Sequence, residues 1–284
     1  MSKIQSSPIL TIIIPAYNSG GTLDIALKSI INQTIKDIEI LIIDGLSTDN
    51  TLEIVENHKL EFAGINIVSE KDKGIYDAMN KGIMLAKGEW IYFMGSDDSL
   101  YEPITIEQFL NNPELKNNEI VYGDVYSTRF NGRYDGLFSY SKLINQNICH
   151  QAIFFRKSIF TKIGKFNMKY KAYADWDHNI RWFFSSKVSN AYLNQIIANY
   201  ADGGYSSLYV DEVFIKDKSF LLLSKGIVKL SVSELISCCN YSINYAKQKK
   251  NYFEYLVAYF LRFGLKIFKK ISFFNFRKFN KKYK

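Results

Sequence analysis

Four short apolar runs, each followed by a polar loop, constrain the fold of this chain more than any other feature. The runs are Leu10–Ile14, Ile38–Ile43, Ile65–Ser69 and Trp90–Met94. Uninterrupted apolar runs of this length are typical of strands buried on both faces of a parallel sheet. Helical stripes lie between them, the first from Thr22 to Gln33, and these fit right-handed crossovers. The sequence therefore predicts a Rossmann-like, mostly parallel α/β sheet flanked by helices, which binds ligands beyond the carboxyl ends of its strands.

The remaining sequence is less regular. Three further strands are predicted in the segments EIVYGDVYS, QAIFFR and AYLNQIIANY, with a helix near Asp175–Phe184 between the last two. The composition then changes, and residues 211–284 are typical of helices rich in lysine, tyrosine and phenylalanine. We therefore expect a catalytic or binding domain over residues 1–210, divided near residue 100, and a helical extension over residues 211–284.

The basic charge of the chain is concentrated in this extension. Residues 215–284 contain 16 basic and 3 acidic side chains, whereas residues 1–214 contain 20 basic and 25 acidic ones. In the extension Phe260 and Phe263 alternate with Arg262 and Lys266, a pattern typical of segments at an anionic membrane surface. A solvated helix packed on the catalytic domain is the alternative. Nucleic-acid binding is not expected, because no recognition module accompanies the charge.

The cellular compartment is indicated by what the sequence lacks. Three cysteines, Cys149, Cys238 and Cys239, are too few for a disulfide framework in 284 residues and have no zinc-site spacing. The apolar run Ile9–Ile14 is too short for a signal peptide, and no run reaches the ~20 apolar residues of a membrane span. We expect a cytoplasmic protein that is soluble or peripheral on a membrane.

Acidic side chains follow the strands of the predicted sheet. They are Asp44, Asp49, Asp72, Asp97 and Asp98. Any one alone is more typical of a turn or a helix cap, but parallel strands bring such loops to one edge. Clustered carboxylates suit Mg²⁺ or Mn²⁺, whose remaining ligands usually include substrate phosphates. Because the P-loop, dinucleotide and kinase motifs are missing, the sequence favours another kind of diphosphate substrate.

Several segments together resemble a known family. TIIIPAYNSGGTLDIALKSIINQ, IIDGLSTDNT, EKDKGIYDAMNKGIMLAKGEWIYFMGSDD and YADWD occur in the order found in glycosyltransferase family 2. The resemblance covers roughly residues 10–205. It implies a GT-A fold and sugar transfer with inversion, as in bacterial enzymes of polysaccharide and O-antigen biosynthesis. It also implies that residues 1–100 form a nucleotide-binding half and residues 101–210 an acceptor-binding half.

The resemblance also implies roles for individual residues. The implied nucleotide-sugar contacts are Pro15, Tyr17, Asn18, Asp44, Asp72, Asn80 and Asp97, with Asp44 on the base. Asp98, with Asp97 in its shell, matches the motif that binds Mn²⁺ or Mg²⁺. Asp175 matches the catalytic base. The chain departs from the family pattern at Gly45, at Gly95-Ser96 and at Ala174, where many members have acidic residues.

An inverting transfer needs one carboxylate for proton transfer, because no covalent sugar–enzyme intermediate forms. Asp175 is our candidate, although an ordinary N-cap is the other interpretation of this residue. His150 is a possible contact to the diphosphate or the metal shell, Trp176 could stack on the acceptor sugar, and Asp177 could orient it. A structural role is the usual one for a single histidine, and a core position is an equal alternative for Trp176.

The sequence is compatible with three functions. The favoured one is metal-dependent transfer of a hexose or N-acetylhexosamine from a nucleotide sugar, with uridine diphosphate expected, to a lipid-linked saccharide, forming a β linkage. Transfer directly to a polyprenyl phosphate is the second. A non-catalytic, membrane-associated nucleotide-sugar-binding protein is the third. The favoured function would place the protein at the inner face of a bacterial cell membrane; the sequence does not indicate an oligomeric state.

Overall fold

The computed structural model describes residues 7–201, 209–226 and 229–282, with side chains up to residue 269 except that of residue 268. It contains two compact units. The first comprises Met1–Phe138 and Asn147–Asp211, and the second comprises Ser139–Gln146 and Glu212–Lys284. The short segment Ser139–Gln146 groups with the C-terminal helices, whereas the sequence analysis assigned it to the acceptor-binding half.

The order of the elements follows the predicted alternation. The first half contains β1 (Leu10–Ala16), α1 (Leu23–Ile31), β2 (Ile38–Asp44), α2 (Thr51–Glu61), β3 (Ile65–Ser69), α3 (Ile75–Leu85), β4 (Trp90–Phe93), β5 (Ser99–Leu100) and α4 (Thr105–Leu110). The second half contains β6 (Ile120–Ser127), β7 (Gly132–Tyr134), α5 (Tyr140–Asn145), β8 (Ile153–Arg156), α6 (Ile159–Lys162), α7 (Ala174–Phe183), β9 (Asn190–Asn199), α8 (Glu212–Gly226), α9 (Val232–Gln248) and α10 (Tyr252–Lys282).

The strands of the described residues form one sheet in the order β3-β2-β1-β4-β8-β6-β9-β5, with β7 paired to β6. Strands β1 to β4 are parallel, with Ile12 opposite both Ile40 and Tyr92. Beyond β4 the pairing becomes mixed, because β8 runs antiparallel to β4 and to β6, while β9 is parallel to β6. The predicted α/β sheet and the helical extension are confirmed.

Both faces of the parallel half are covered by helices. Helix α1 buries Leu23, Ala26, Leu27 and Ile30 in the same core cluster as Ile12 and Ile14. On the other face α3 lies so close to β1 that a Cβ on Gly82 would meet Cγ2 of Ile13 at 2.5 Å. Because successive strand residues point to opposite faces, this packing explains why β1 and β2 are buried without alternation. The functional side chains are therefore expected in the loops at the strand ends.

The second unit is built from α5 and the three C-terminal helices. Helix α9 begins with a capping box, in which Ser231 and Glu234 each bond the other's backbone N–H. Glu234 also accepts a hydrogen bond from Ser141, which is part of the segment that groups with these helices. Among the helices of the described residues, none has both the length and the apolar character that crossing a bilayer requires.

A buried lysine in α8 gives this unit a specific pH dependence. Burial lowers the pKa of Lys218 to about 8, although its ammonium lies 5.6 Å from the centre of the Tyr241 ring. Between pH 8 and pH 9 the folded Lys218 has largely released a proton that the unfolded chain still holds, so Lys218 makes stability rise with pH. The buried thiols act in the opposite direction over the same range, because burial raises the pKa of Cys238 to about 11 and also raises the pKa values of Cys149 and Cys239.

We therefore expect the change in the free energy of unfolding from pH 8 to pH 9 to be about 1 kcal/mol more positive in the wild type than in Lys218→Met. Lys225→Met, at an exposed lysine of the same helix, should behave like the wild type. Urea unfolding of the full-length chain at the two pH values measures the difference. The same change in all three proteins would contradict the assignment to Lys218.

Candidate active site

The loops after β1, β2 and β4 are joined by hydrogen bonds at the sheet edge. The backbone N–H of Asn18 donates to Oγ of Ser47 at 2.8 Å, and Thr48 N–H donates to Oδ1 of Asn18 at 2.8 Å. Asn18 adopts a left-handed conformation with φ of 49°. The hydroxyls of Ser19 and Ser96 lie 2.8 Å apart, which joins the first loop to the acidic loop. The predicted convergence of the strand ends is therefore present at these loops.

Asp44, the predicted base contact, is fully buried beneath these loops. Its carboxylate accepts hydrogen bonds from the backbone of Leu46 and Ser47 and from the hydroxyls of Ser47 and Ser69, the last at 2.6 Å. These donors occupy about the number of acceptor positions that a carboxylate offers. In this structure Asp44 orders the loop, and its contact with a base stays a prediction.

Tyr17 and Asp72 lie beside Gly45, the residue that follows Asp44. A Cβ on Gly45 would meet Oδ2 of Asp72 at 2.7 Å and the ring of Tyr17 at 3.4 Å. The Asp72 carboxylate thus lies where a side chain at position 45 would lie, and many members of the resembled family have an acidic residue at that position. The Tyr17 ring is 65% exposed. Pro15, also a predicted nucleotide contact, is buried in β1 opposite Ile43. A planar base could stack on Tyr17 in this arrangement.

The acidic loop after β4 presents two different carboxylates. Asp97 is exposed, whereas Asp98 is only 2% exposed. Asp98 accepts hydrogen bonds from the backbone N–H of Gly95 and Ala201 and, at 2.8 Å, from the Gln151 amide. Burial raises the pKa of Asp98, and the neighbouring charge of Asp97 raises it further. A cation near this pair would stabilise the ionised form of Asp98.

The donor set of this loop fits a divalent ion that also binds substrate phosphate. A Cβ on Gly95 would meet Oδ1 of Asp97 at 2.6 Å and Oδ2 of Asp98 at 2.5 Å, so both carboxylates lie on one side of this glycine. Within the part of the chain that the structure describes, no three His, Cys, Asp or Glu side chains cluster closely enough to hold a metal alone. Two carboxylates completed by phosphate oxygens are typical of Mg²⁺ sites.

Asp175, the predicted base, lies in the first turn of α7 and is held on several sides. The Tyr76 hydroxyl lies 2.8 Å from its Oδ1, and the Asn147 amide donates to its Oδ2 at 2.9 Å. Its Oδ1 also accepts from the backbone N–H of Trp176. Its side chain is nearly buried at 9% exposure, so it is positioned rather than mobile in solvent.

Two consecutive residues connect Asp175 with the acidic loop. Nδ1 of His150 lies 3.5 Å from Oδ2 of Asp175, while the next residue, Gln151, donates to Asp98. Consecutive Cα atoms are only 3.8 Å apart, so the two carboxylates are held by adjacent positions of one 3₁₀ turn, His150–Ala152. Nε2 of His150 is buried and has no hydrogen-bond partner among the described residues.

Three other predicted site residues have structural partners. Asp177 is buried and pairs with Arg181 at 2.9 Å, and Arg181 also donates to backbone carbonyls of the loop before α7. The Asn80 amide bonds both the N–H and the carbonyl of Phe166, which fixes that loop to α3. Trp176 is partly exposed and its ring contacts that of Tyr173. The roles of Asp177, Asn80 and Trp176 toward substrate stay predictions.

Three residues that hold the carboxylates were not predicted from the sequence. Tyr76 lies inside the GIYDAMNKG segment that carried the resemblance, but its ring follows the apolar pattern of α3 and is buried. Asn147 lies in a polar loop and Gln151 is the first residue of the predicted strand QAIFFR, and neither position carries a signal that indicates its partner. Their contacts join residues separated by 28 and 53 positions, so only the folded chain reveals them.

The substitution Tyr76→Phe tests the positioning of Asp175. It removes a hydroxyl that can donate either to Asp175 or to the Ala172 carbonyl, each at 2.8 Å. Hydrogen bonds to charged groups contribute about 1.5–3 kcal/mol, so we expect kcat to fall about tenfold or more with little change in the donor KM.

Tyr192→Phe is the matched control for this experiment. Its hydroxyl also donates to a buried carboxylate, that of Asp124, at 2.9 Å. The other partners of Asp124 are Gly136 and Arg133, which belong neither to the acidic loop nor to the surroundings of Asp175. We expect Tyr192→Phe to change stability rather than kcat. Equal loss of kcat in the two variants would indicate a general structural effect.

Comparison with known proteins identifies the family. Residues 11–181 match Glycosyl transferase family 2, and the chain belongs to this family. A PGL/p-HBAD biosynthesis glycosyltransferase from Mycobacterium tuberculosis is 41% identical over 218 residues, which cover 75% of this chain and 84% of that protein. Chondroitin synthase from Escherichia coli is 28% identical over 247 residues, covering 82% of this chain but 35% of the relative. The chain is therefore a glycosyltransferase.

Solved structures share the fold at low sequence identity. S. aureus TarS, residues 1–349 with UDP-GlcNAc, has a TM-score of 0.66 at 16% identity, over 88% of this chain and 79% of that one. The mannosyltransferase PcManGT from Pyrobaculum calidifontis, solved with GDP-Man and Mn²⁺, has a TM-score of 0.58 at 16% identity, over 86% and 76%. The GT-A fold predicted from the sequence is confirmed.

Proposed function

We propose that this protein transfers a hexose or N-acetylhexosamine from a nucleotide sugar to a hydroxyl group of a lipid-linked saccharide, with inversion at the anomeric carbon. Uridine diphosphate is the proposed nucleotide. The observation that carries the proposal is the His150-Gln151 turn, which contacts Asp175 with one residue and Asp98 with the next. This turn joins a proton acceptor to a diphosphate-binding carboxylate pair.

The donor would lie across the ends of β1, β2 and β4. Tyr17 and Asp72 would contact the base and its ribose, and Asn18 would hold the loop beside them. Asp97 and Asp98 would hold Mn²⁺ or Mg²⁺ together with the diphosphate oxygens. A divalent ion bound there supplies Lewis-acid stabilisation of the charge that develops on the leaving diphosphate.

Asp175 would accept the proton of the acceptor hydroxyl while that oxygen attacks the anomeric carbon. The hydrogen bonds from Asn147 and Trp176 hold its carboxylate in one orientation. One carboxylate is sufficient, because the attack displaces the nucleotide directly. An α-linked nucleotide sugar would therefore give a β-linked product.

The proposed acceptor is attached to a polyprenyl diphosphate at the inner face of a bacterial cell membrane. The basic extension supports this choice, since an anionic membrane surface would retain the enzyme near such a substrate. The names of relatives in glycolipid and polysaccharide biosynthesis are compatible with it. The role would be a step in the assembly of a cell-surface polysaccharide.

A donor screen tests the proposed function. Release of nucleoside diphosphate is measured from UDP-hexoses, UDP-N-acetylhexosamines and GDP-mannose, with and without Mn²⁺, against a pool of lipid-linked saccharides. We expect release from a uridine donor only when acceptor and metal are both present. Nucleotide binding without turnover on any acceptor would instead favour the non-catalytic alternative.

A further inference from the structure

The last helix of the second unit carries an apolar stripe that is exposed. The stripe consists of Tyr252, Leu256, Phe260, Phe263 and Ile267. Spacings of four, four, three and four residues place these side chains on one face of α10. Tyr252 is 78% exposed, Phe260 66% and Phe263 54%. Large side chains aligned in this way are unusual on a surface that only meets water.

A different face of α10 packs against α9. Ala258 is buried, and Arg262 donates to Oδ1 of Asn240 at 3.0 Å. One heptad later Lys269 donates to Oγ of Ser233 at 2.7 Å. At ~100° per residue, these positions lie about opposite the apolar stripe. The stripe therefore remains available to a partner after the helices of the unit have packed.

The charge of the second unit indicates what kind of partner the apolar stripe binds. Residues 215–284 contain 16 basic and 3 acidic side chains, and the exposed Lys266 lies in α10 beside the stripe. A second copy of the chain would bring two strongly basic segments together, which is unfavourable. An anionic lipid surface instead offers acyl chains to the aromatic side chains and phosphate groups to the ammonium groups.

We propose that the apolar stripe of α10 is a membrane-docking face that inserts into the headgroup region of an anionic bilayer. The helix would lie in the plane of the interface, with the stripe buried and Lys266 at the level of the phosphates. This inference deepens the proposed function by naming the surface where a lipid-linked acceptor is met. Docking itself needs neither donor nor acceptor.

Vesicle co-sedimentation of the full-length protein tests the docking face. The probes are vesicles of phosphatidylcholine alone and of phosphatidylcholine mixed with phosphatidylglycerol, without nucleotide or metal. We expect binding to the mixed vesicles, weakened by salt, and little binding to the neutral ones. The double variant Phe260→Ser/Phe263→Ser should bind at least about tenfold more weakly, because it removes two aromatic rings from the face that is buried on docking.

Phe220→Ser, at an exposed phenylalanine of α8, is the matched control and should bind like the wild type. Circular dichroism establishes that the variants keep their helices. Unchanged vesicle binding in the double variant would overturn the proposal, as would a concentration-dependent dimer that the double variant loses. UDP binding with Mn²⁺ to the same preparations tests the nucleotide site separately, so failure of docking and failure of the proposed function are distinguishable.

Discussion

Replacement of Asp175 by asparagine is expected to lower kcat by about two to four orders of magnitude while UDP binding is retained. Asparagine fills the same space and can still accept the hydrogen bond from Tyr76, but it cannot take a proton from the acceptor. The loss should therefore lie in kcat rather than in the donor KM.

The control for Asp175→Asn is Asp177→Asn. Asp177 lies in the same turn of α7, but its carboxylate pairs with Arg181, so its loss should reduce stability more than turnover. Full activity of Asp175→Asn would remove the base from the mechanism. It would favour transfer to a polyprenyl phosphate, because that acceptor is already ionised and needs no general base.

Replacement of Asp98 by asparagine is expected to lower transfer by about 10²–10³-fold and to abolish the effect of Mn²⁺ on UDP binding. The amide carries no charge, and it cannot accept hydrogen bonds from Gly95, Gln151 and Ala201 at both of its ends. A loss of roughly 1–3 kcal/mol in stability should accompany the substitution, because one backbone donor is left without its partner.

Calorimetric titration of UDP with and without Mn²⁺ separates these effects. Asp97→Asn is the matched control, since the exposed Asp97 carboxylate has a smaller structural role. We expect Asp97→Asn to weaken the Mn²⁺ effect and Asp98→Asn to eliminate it at temperatures where both variants remain folded. An undiminished Mn²⁺ effect in Asp98→Asn would contradict the assignment of the metal to this loop.

The sequence predicted the fold because local patterns determine it. Uninterrupted apolar runs such as Ile38–Ile43 require burial on both faces, and the helical stripes between them leave few possible topologies. The position of the carboxylates at the strand ends follows directly from that topology. The polar loop residues of the site could therefore be grouped before the structure was known.

The environment of each carboxylate could not be predicted in the same way. Asp44 is bonded by the loop that follows it, where Leu46 adopts a left-handed φ of 65°, and by Ser69 of β3, and no periodicity encodes such an arrangement. Aspartate is rarely buried, so the burial of Asp98 depends on the long-range donors Gln151 and Ala201. The grouping of Ser139–Gln146 with the C-terminal helices is likewise a long-range effect.

We expect one cleft to hold the leaving diphosphate at Asp98 and the proton acceptor at Asp175. Anomalous scattering from a crystal grown with UDP and Mn²⁺ tests this arrangement. We expect a manganese peak within coordination distance of an Asp98 or Asp97 oxygen and of a β-phosphate oxygen, with that phosphate on the side of the nucleotide that faces Asp175. A manganese peak remote from both aspartates, or a β-phosphate directed away from Asp175, would contradict it.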